Sequence, residues 1–460
     1  MKKTILWLIV IAITVSMVSV FTLSGCKEGA SEEGVVEEET MEEASEGEVT
    51  EEETSKEEAP AEMITLEFPH YAFGLEGPIA DFWNELVAEY EEQNPNIDIN
   101  GYNINYGEYH DKLQTAVAGG NPPDIMQLNP PFFAKFLQAG ALFPLDDYID
   151  VAAAVDGYSP LQTEIIPSFA EDGKTYGIIT WANWFLPWYR PSVLANAGFD
   201  EFPTTIDEFE AMLAGVSQDD VFGVGEALSP GNYTEGVYLL IWWLYALGGD
   251  YAVDGVPSLN NPKVIETVTM IKDWYDSGYM PKEVDMSEKR KLMATDKLGV
   301  MVGNPNEYNI CLGLNPDLTR EDFQSIDWPT PEKDVCTIIQ TMAASVNSEH
   351  PEEAAKFIAW WHSSENQARE ALNCGFMLAR TDVLTDQSFR DEFSSSQPNL
   401  AKFLDYSDYL KLMVPAELLT GNPDEVHKVW WTYMEKVIYE NMDPTEAMNA
   451  AQEEALSVYK

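Results

Sequence analysis

The chain has 460 residues and a formal net charge of −53 at pH 7, from 79 acidic and 26 basic side chains. A surface this acidic repels phosphate backbones and anionic lipids, so the charge disfavours nucleic-acid binding. Adaptation to high salt would give the same excess and stays open as its cause. The length allows two domains, and a hydrophobic fraction of 45% allows each of them a core.

The N-terminal segment 1–26 has the pattern of a signal peptide. Two lysines precede an apolar run that ends in LSGC at 23–26. These four residues resemble the bacterial lipobox, and the resemblance implies that Cys26 is lipidated and anchors the chain to the membrane. An uncleaved anchor stays open, because the apolar run is long enough to span a bilayer. Both alternatives predict a tethered protein outside the cytoplasm, in a periplasm or on a cell surface.

Residues 27–62 form a segment almost free of large apolar side chains. They include 16 glutamates and two lysines, so this segment carries −14 and segment 1–26 carries +2, which leaves −41 on the remainder. A chain with so little apolar surface cannot offset the entropy of ordering, so we expect a disordered acidic tether.

Four cysteines are present, and Cys26 is assigned to the lipid. Cys311 and Cys336 could pair in an oxidising compartment while Cys374 stays free, but sequence separation cannot show whether the geometry allows a bond. No CxxC motif or Cys/His cluster suggests a metal, and we expect no cofactor.

From residue 63 onward, strand and helix patterns alternate. Ile64, Leu66 and Phe68 alternate as in a half-buried strand. The next predicted elements are a helix at 78–95, a strand at 96–104, a helix at 108–120 and a strand at 122–129. This order predicts a βαβ opening and a parallel sheet covered by helices.

The pattern continues through the rest of the chain. Thr205 is a plausible N-cap for a helix at 206–216, and residues 238–247 are apolar on all sides, as in a buried helix. The other predicted elements are helices at 131–140, 263–278, 350–370 and 426–442, and strand-like segments at 176–180 and 297–304.

Several blocks, taken in order, resemble the extracellular solute-binding proteins of bacterial ABC importers, in particular the family that binds saccharides. The longest are GGNPPDIMQLNPPFFAKFLQAGALFPLDDYI at 119–149 and DGKTYGIITWANWFLPWYRPSVLANAGF at 172–199. PTTIDEFEAM, ALGGDY, NNPKVIETVTMIKDWYDSG, KLGVMVGNP and SEHPEEAAKFIAWW follow in the family's order. The resemblance implies an α/β, two-lobe periplasmic-binding-protein-like (type II) fold with a ligand cleft between the lobes. It also implies a monomer that passes its solute to ABC transporter permease subunits.

Mapping these blocks places lobe one at 63–179 and 335–395 and lobe two at 181–333 and 396–460. Ligands of open α/β sheets bind beyond the carboxyl ends of the strands, so the candidate residues lie in the loops that follow strands. A sugar has apolar faces and a rim of hydroxyls, so it needs flat rings for stacking and short polar side chains for hydrogen bonds.

The segment WANWFLPWY at 181–189 offers both kinds of side chain, and we predict that Trp181, Asn183 and Trp184 contact the ligand. The alternative is that Trp184, like Phe185 and Trp188, anchors the next helix of lobe two. The other predicted ligand contacts are Tyr71, Phe73, Asn129, Asn232, Tyr233, Trp242, Asn304, Asn306, Tyr308, Gly375 and Phe376.

Two departures from the family pattern concern these loops. No aromatic residue follows Gly303 in GNPN, so stacking there depends on Tyr308, and the turn GFMLAR at 375–380 lacks the family's proline.

Three other functions stay open. An enzyme such as a glycoside hydrolase would use two carboxylates, yet the chain has no GxSxG, HExxH or P-loop motif. The second alternative is a surface adhesin, because an acidic tether would suit an adhesin as well as a binding protein. The third alternative is binding of a cationic, amino-acid or peptide solute, because Glu76, Glu226 and Glu307 lie near the aromatic loops. The loops themselves contain mainly Asn, Thr and Ser, which favours a neutral polyol.

Overall fold

The computed structural model describes residues 62–74 and 78–459. The predicted signal peptide at 1–26, its lipidation site Cys26 and residues 27–61 of the predicted tether lie outside this part, whereas Glu62 is described and exposed. In the described part, no helix has both the length and the apolar character needed to cross a bilayer.

The described residues form strands and helices throughout. The strands are β1 (Ile64–Pro69), β2 (Ile97–Tyr102), β3 (Ile125–Leu128), β4 (Gly177–Trp184), β5 (Leu186–Tyr189), β6 (Phe222–Gly225), β7 (Ala252–Val253), β8 (Val256–Pro257), β9 (Leu298–Gly303), β10 (Gln324–Ser325), β11 (Val335–Ala344) and β12 (Leu410–Leu412). The α-helices are α1 (Pro78–Gln93), α2 (Tyr106–Ala118), α3 (Pro130–Gln138), α4 (Val151–Ala154), α5 (Ile166–Ser168), α6 (Pro191–Asn196), α7 (Ile206–Val216), α8 (Tyr233–Ala246), α9 (Pro262–Asp276), α10 (Met286–Ala294), α11 (Glu307–Leu314), α12 (Pro351–Trp361), α13 (Ser364–Cys374), α14 (Thr381–Thr385), α15 (Gln387–Ser396), α16 (Pro423–Glu440) and α17 (Pro444–Val458). Short 3-10 helices occupy Tyr71–Gly74, Leu145–Asp147, Pro398–Tyr406 and Ala416–Leu418, and Leu161–Ile165 forms a π-helix.

The first βαβ unit is confirmed, because β1 and β2 pair in parallel from Ile64 opposite Ile97 to Pro69 opposite Tyr102. The expectation of one parallel sheet is wrong for the third strand. β3 pairs antiparallel with β11, which also pairs antiparallel with β4 and parallel with β12. A separate sheet has the strand order β10-β5-β9-β6, so both sheets are mixed.

Local capping explains where several helices begin. The Thr205 hydroxyl accepts a hydrogen bond from the backbone N–H of Glu208 at 3.3 Å, as the sequence predicts for the start of α7. The single helix expected at 350–370 is instead two helices, α12 and α13. The hydroxyl of Ser363 accepts from the N–H of Asn366 at 3.3 Å and begins the second of them.

Buried side chains form two hydrophobic cores. The first core gathers residues from Leu66 to Ala182 and from Ile339 to Ala379, together with Leu412. The second core gathers residues from Trp184 to Cys336 and from Ala371 to Tyr459. Phe389 and Phe393 belong to the second core, although they fall inside the range predicted for lobe one. The lobe limits stay a prediction.

Strands β4 and β11 run from one core into the other. In β4, Trp181 and Ala182 belong to the first core and Trp184 to the second. In β11, Cys336 packs in the second core and Ile339 in the first. The two strands pair along this crossing, so a two-stranded connection joins the cores.

The three cysteines in the described part are buried free thiols. The structure therefore contains no bond between Cys311 and Cys336. Burial also raises the pKa of the Cys311 thiol to about 12, so this thiol is protonated at neutral pH.

Candidate ligand-binding site

A cavity of about 170 Å³, here called the cleft cavity, lies between side chains of the two cores. One wall is the start of α3, with Asn129, Pro130 and Pro131. The opposite wall comes from the first turns of α8 and α16, including Tyr233 and Asp424. Residues 337–340 of β11 and residues 412–414 complete the lining.

A second cavity, of about 460 Å³, includes Ser159, Tyr245, Asp250 and Lys411 in its lining. It lies at the end of α8, whereas Tyr233 in the cleft cavity begins that helix, and Leu412 lines both cavities. Of the two, only the cleft cavity has a wall that directly follows the carboxyl end of a strand, β3. This position is where α/β proteins bind ligands, so we take the cleft cavity as the candidate site.

Asn129 lines the cleft cavity, as the sequence predicts for a residue that follows the third strand. Its side-chain oxygen accepts a hydrogen bond from the backbone N–H of Phe132 at 3.2 Å and thereby caps α3. The cap fixes the side chain, and it leaves the amide nitrogen as the group that can donate to a ligand.

Tyr233 also lines the cleft cavity, and its hydroxyl donates to the Asp424 carboxylate at 2.8 Å. Lys428 pairs with Asp424 at 2.7 Å and lies 5.3 Å from the centre of the Tyr233 ring. Burial opposes ionisation of Asp424, but the hydrogen bonds from Lys428 and Tyr233 outweigh it and hold the pKa of this carboxyl below its usual range. The one carboxylate in the cavity lining is thus ionised and already paired with an ammonium group.

Trp181 does not itself line the cleft cavity. Its register partner Gln340 lines the cavity, and so do Ile338 and Thr337, the register partners of Asn183 and Trp184. The Trp181 ring stacks on Phe376 with centroids 5.3 Å apart, and its indole N–H has no hydrogen-bond partner among the described residues. The structure therefore brings Trp181 and Phe376 together in the first core, with Trp181 beside Gln340 in the sheet.

Other residues of the aromatic segment are part of the protein interior. Trp184 is fully buried in the second core, and its indole N–H donates to the carbonyl of Phe403 at 3.1 Å. The sequence alternative had Trp184 anchor the next helix, whereas the partner seen here belongs to the 3-10 helix Pro398–Tyr406. The Asn183 side-chain oxygen accepts from the backbone N–H of Met377 at 3.0 Å, so it joins the segment that contains Phe376 to β4.

Trp242 lies in the second core, 98% buried, with its ring stacked 4.7 Å from Phe185. Tyr238, one turn earlier on α8, lines the cleft cavity and lies 6.0 Å from the Trp242 ring. The ammonium of Lys289 lies 5.2 Å from the same ring. Trp242 is therefore one layer behind the cavity wall.

The remaining predicted residues do not line the cleft cavity. Asn232 caps α8, Asn304 accepts from the N–H of Asn306 at 2.9 Å, and the ring of Tyr308 is buried beside Phe323 and Arg320. Tyr71 and Phe73 form a 3-10 helix after β1, and Gly375 ends α13 with a left-handed φ of 71°. Their contact with ligand stays a prediction.

The glutamates that left a cationic ligand open have partners inside the protein. Glu226 and Lys289 are fully buried and 3.1 Å apart, and Glu307 pairs with Arg290 at 2.7 Å. Glu76 lies outside the described residues. Neither described glutamate is left as a free negative charge for a ligand.

Sequence reasoning missed Gln340, Asp424 and His427, which line the cleft cavity. One signal was present: the buried strand β11 reads VCTIIQTMAA, and a glutamine there needs a polar partner. Nothing local marks Asp424, because its position on the cavity wall depends on contacts with α8.

Comparisons with known proteins agree with this architecture. The profile of the family described as bacterial extracellular solute-binding protein matches residues 85–401. A binding protein of Brucella abortus (strain 2308) is 24% identical over 303 residues, which cover 64% of this chain and 72% of the relative. The diacetylchitobiose binding protein of Streptomyces coelicolor is 24% identical over 277 residues, covering 56% and 60%.

Among solved structures, the cyclic alpha-maltosyl-1,6-maltose binding protein of Arthrobacter globiformis superposes with a TM-score of 0.74 at 20% identity. The match covers 86% of this chain and 99% of that one. It confirms the predicted two-lobe α/β fold, and the profile match confirms the predicted family. This chain belongs to the bacterial extracellular solute-binding proteins, and the family places it outside the cytoplasm.

Proposed function

We propose that this protein captures a carbohydrate, an oligosaccharide rather than a single sugar, in a cleft between the lobes that includes the cleft cavity, and delivers it to an ABC transporter permease. The observation that carries the proposal is the chemistry of the cavity lining. Asn129, Thr234, Thr337 and Gln340 offer neutral polar groups, and Tyr233 and Tyr238 offer flat rings. Neutral hydrogen-bonding groups beside aromatic faces suit a ligand with a hydroxyl rim and apolar faces.

The relatives support the same ligand class. The Streptomyces relative is described as a binding protein for diacetylchitobiose, and the Arthrobacter structure as one for cyclic alpha-maltosyl-1,6-maltose. Solute contact with both walls of the cavity would favour the closed arrangement of the lobes, because a ligand shifts an equilibrium only toward the state that it binds more tightly.

A second candidate is a solute with an amino group, because Asp424 lines the cavity. The pairing of Asp424 with Lys428 weakens this candidate, since a cationic ligand would have to compete with an ammonium group already 2.7 Å away.

Calorimetric titration of the purified chain with mono- and oligosaccharides, polyamines, amino acids and peptides separates the candidates. We expect saturable binding of one oligosaccharide class at micromolar or tighter Kd, with the bound sugar recovered intact. A response to amines alone would overturn the carbohydrate assignment, and hydrolysis of the sugar would favour an enzyme.

The remaining parts of the proposal concern assembly. We propose lipid anchoring through Cys26, an acidic tether over 27–62, a monomer, binding without catalysis, and lobes at 63–179 with 335–395 and at 181–333 with 396–460. Mass spectrometry of the membrane-extracted protein tests the lipid, and light scattering tests the monomer. A water-soluble protein that retains the apolar run would contradict the anchor.

A further inference from the structure

One histidine on the wall of the cleft cavity has its ring proton fixed by its neighbours. His427 lies on α16, lines the cleft cavity and is 8% exposed. Its Nε2 lies 2.9 Å from the Tyr251 hydroxyl, and that hydroxyl donates to the backbone carbonyl of Met413 at 2.6 Å. A carbonyl only accepts, so the single proton of the hydroxyl is used in this bond. The Tyr251 oxygen therefore accepts from His427, and Nε2 carries the ring proton.

The His427 ring is uncharged at neutral pH. Burial lowers the pKa of His427 to about 4, although the nearby Asp424 carboxylate opposes this shift. A neutral imidazole has one N–H and one bare nitrogen. Because Nε2 holds the proton, Nδ1 is the bare nitrogen and acts as a hydrogen-bond acceptor.

Nδ1 of His427 is not used by the protein itself. It makes no hydrogen bond within the described part of the chain. It is also not among the unpaired polar atoms that burial closes off from water, in contrast to the indole nitrogens of Trp430 and Trp431 on the same helix. Since His427 lines the cleft cavity, a small polar group in the cavity can reach this nitrogen.

The neighbouring acceptor on α16 is already engaged. One carboxylate oxygen of Asp424 accepts from the Tyr233 hydroxyl and the other pairs with Lys428. On the opposite wall, the amide nitrogen of Asn129 is a donor. The cavity thus presents a neutral acceptor on one wall and a neutral donor on the other.

We propose that Nδ1 of His427 accepts a hydrogen bond from a hydroxyl group of the bound carbohydrate, and that Tyr251 is the positioning residue that keeps this nitrogen bare. The assignment rests on the proposed function. A hydroxyl has a proton to donate, whereas a carboxylate, an ionised phosphate or an ether oxygen has none. His427 therefore selects a free hydroxyl group at this position of the solute.

Two variants test the proposal. His427→Phe removes Nδ1 but keeps a flat ring, and the Tyr251 hydroxyl keeps its bond to Met413. Tyr251→Phe changes no residue of the cavity lining and removes the acceptor for Nε2. The ring proton is then free to move to Nδ1, where water in the cavity can accept it.

Tyr245→Phe is the matched control for Tyr251→Phe. Tyr245 is 1% exposed, and its hydroxyl donates to the carbonyl of Leu412, the residue before Met413, at 3.0 Å. No histidine among the described residues bonds to this hydroxyl. The two tyrosine variants lose the same kind of bond to the same segment, and only Tyr251→Phe releases His427.

The measurements are Kd by calorimetry for maltotriose and diacetylchitobiose, Tm by circular dichroism, and nitrogen NMR of the histidine rings in isotope-labelled chain. The signals lost in His427→Phe identify His427. In the wild type, we expect a proton on Nε2 and a bare Nδ1 whose signal moves when the sugar binds.

We expect His427→Phe to raise the Kd of the bound sugar at least about fivefold. Tyr251→Phe should place the proton on Nδ1 and raise Kd by a similar factor, whereas Tyr245→Phe should keep Kd within about twofold of wild type. A proton on Nδ1 in the wild type, or an unchanged Kd for His427→Phe, overturns the assignment and leaves the proposed function intact. If the wild-type chain binds no saccharide, the proposed function and the assignment fall together. Should His427→Phe not fold, Tyr251→Phe is held to the same fivefold criterion, and an effect no larger than that of Tyr245→Phe overturns the assignment.

Discussion

The indole N–H of Trp83 donates to the carboxyl of Glu370 at 3.1 Å and links helices α1 and α13 inside the first core. Glu370 is fully buried and also accepts from the side-chain amide of Gln367 at 3.0 Å. Burial raises the pKa of Glu370 to about 8, although these hydrogen bonds oppose the shift. The carboxyl is therefore mostly protonated at neutral pH.

This pKa predicts a pH-dependent stability. The folded-state pKa lies above the unfolded value of about 4.5, so the contribution of Glu370 to stability is full below pH 4.5 and is lost as pH rises to about 8. We expect the difference in the free energy of unfolding between wild type and Glu370→Gln to change across this window by about 4 kcal/mol at most. Urea denaturation at pH 4.5, 6 and 8.5 measures it, and a constant difference would show that Glu370 titrates normally.

Tyr233→Phe removes the hydroxyl that donates to Asp424 on the wall of the cleft cavity. The variant keeps the ring but lacks a hydroxyl that can also bond the solute, and a hydrogen bond of about 0.5–1.5 kcal/mol corresponds to a rise in Kd of roughly fivefold. Tyr433→Phe is the control, because its hydroxyl makes an equivalent bond to Glu454 at 3.0 Å on an exposed surface. If Tyr233→Phe and Tyr433→Phe have equal Kd values, the Tyr233 hydroxyl does not take part in solute binding.

Trp181→Ala deletes the ring that stacks on Phe376 beside Gln340. We expect Kd to rise more than tenfold while the far-ultraviolet circular dichroism of the folded protein is kept. Trp184→Ala is the contrasting variant, since the indole N–H of Trp184 has a partner inside the protein and that of Trp181 has none among the described residues. Both rings are core residues, so each truncation should cost about 3–5 kcal/mol of stability. If Trp181→Ala leaves Kd unchanged, this residue is structural only.

Lys289→Met leaves the buried carboxyl of Glu226 without its ammonium partner, and of its two hydrogen bonds only that from the backbone N–H of Val302, at 3.0 Å, is kept. Because an uncompensated buried charge is costly, we expect a loss of about 3–5 kcal/mol in the free energy of unfolding. The double variant Glu226→Gln with Lys289→Met should recover much of that loss. Guanidinium denaturation measures the free energy of unfolding of wild type, Lys289→Met and the double variant. If Lys289→Met is as stable as wild type, the ion pair does not contribute to stability.

Local patterns in the sequence predicted those elements whose causes are local. Thr205 begins its helix because a hydroxyl at that position can bond a free backbone N–H, and such a cap depends only on neighbouring residues. The break at Ser363 was missed because apolar spacing continues on both sides of it. The partner of β3 was missed because β11 lies more than 200 residues away along the chain.

The same division applies to the candidate site. Asn129 was predicted because it follows the third strand, and Tyr233 because its loop precedes the buried helix; both residues line the cleft cavity. Gln340 and Asp424 reach the cavity through sheet pairing and helix packing, which no short window of sequence contains. Trp184 was predicted to contact the ligand but is buried, with its indole N–H bonded to a backbone carbonyl. The sequence alone does not distinguish an aromatic residue that packs in the core from one that stacks on a ligand.

The shared strands β4 and β11 have a thermodynamic consequence. Each strand contributes side chains to both cores. Unfolding of one core therefore also disrupts two paired strands that pack in the other core. The two halves should therefore lose structure in one cooperative transition, with equal calorimetric and van't Hoff enthalpies, although each core is large enough to suggest independent unfolding. A solute held between the lobes would then raise a single melting temperature for the whole body.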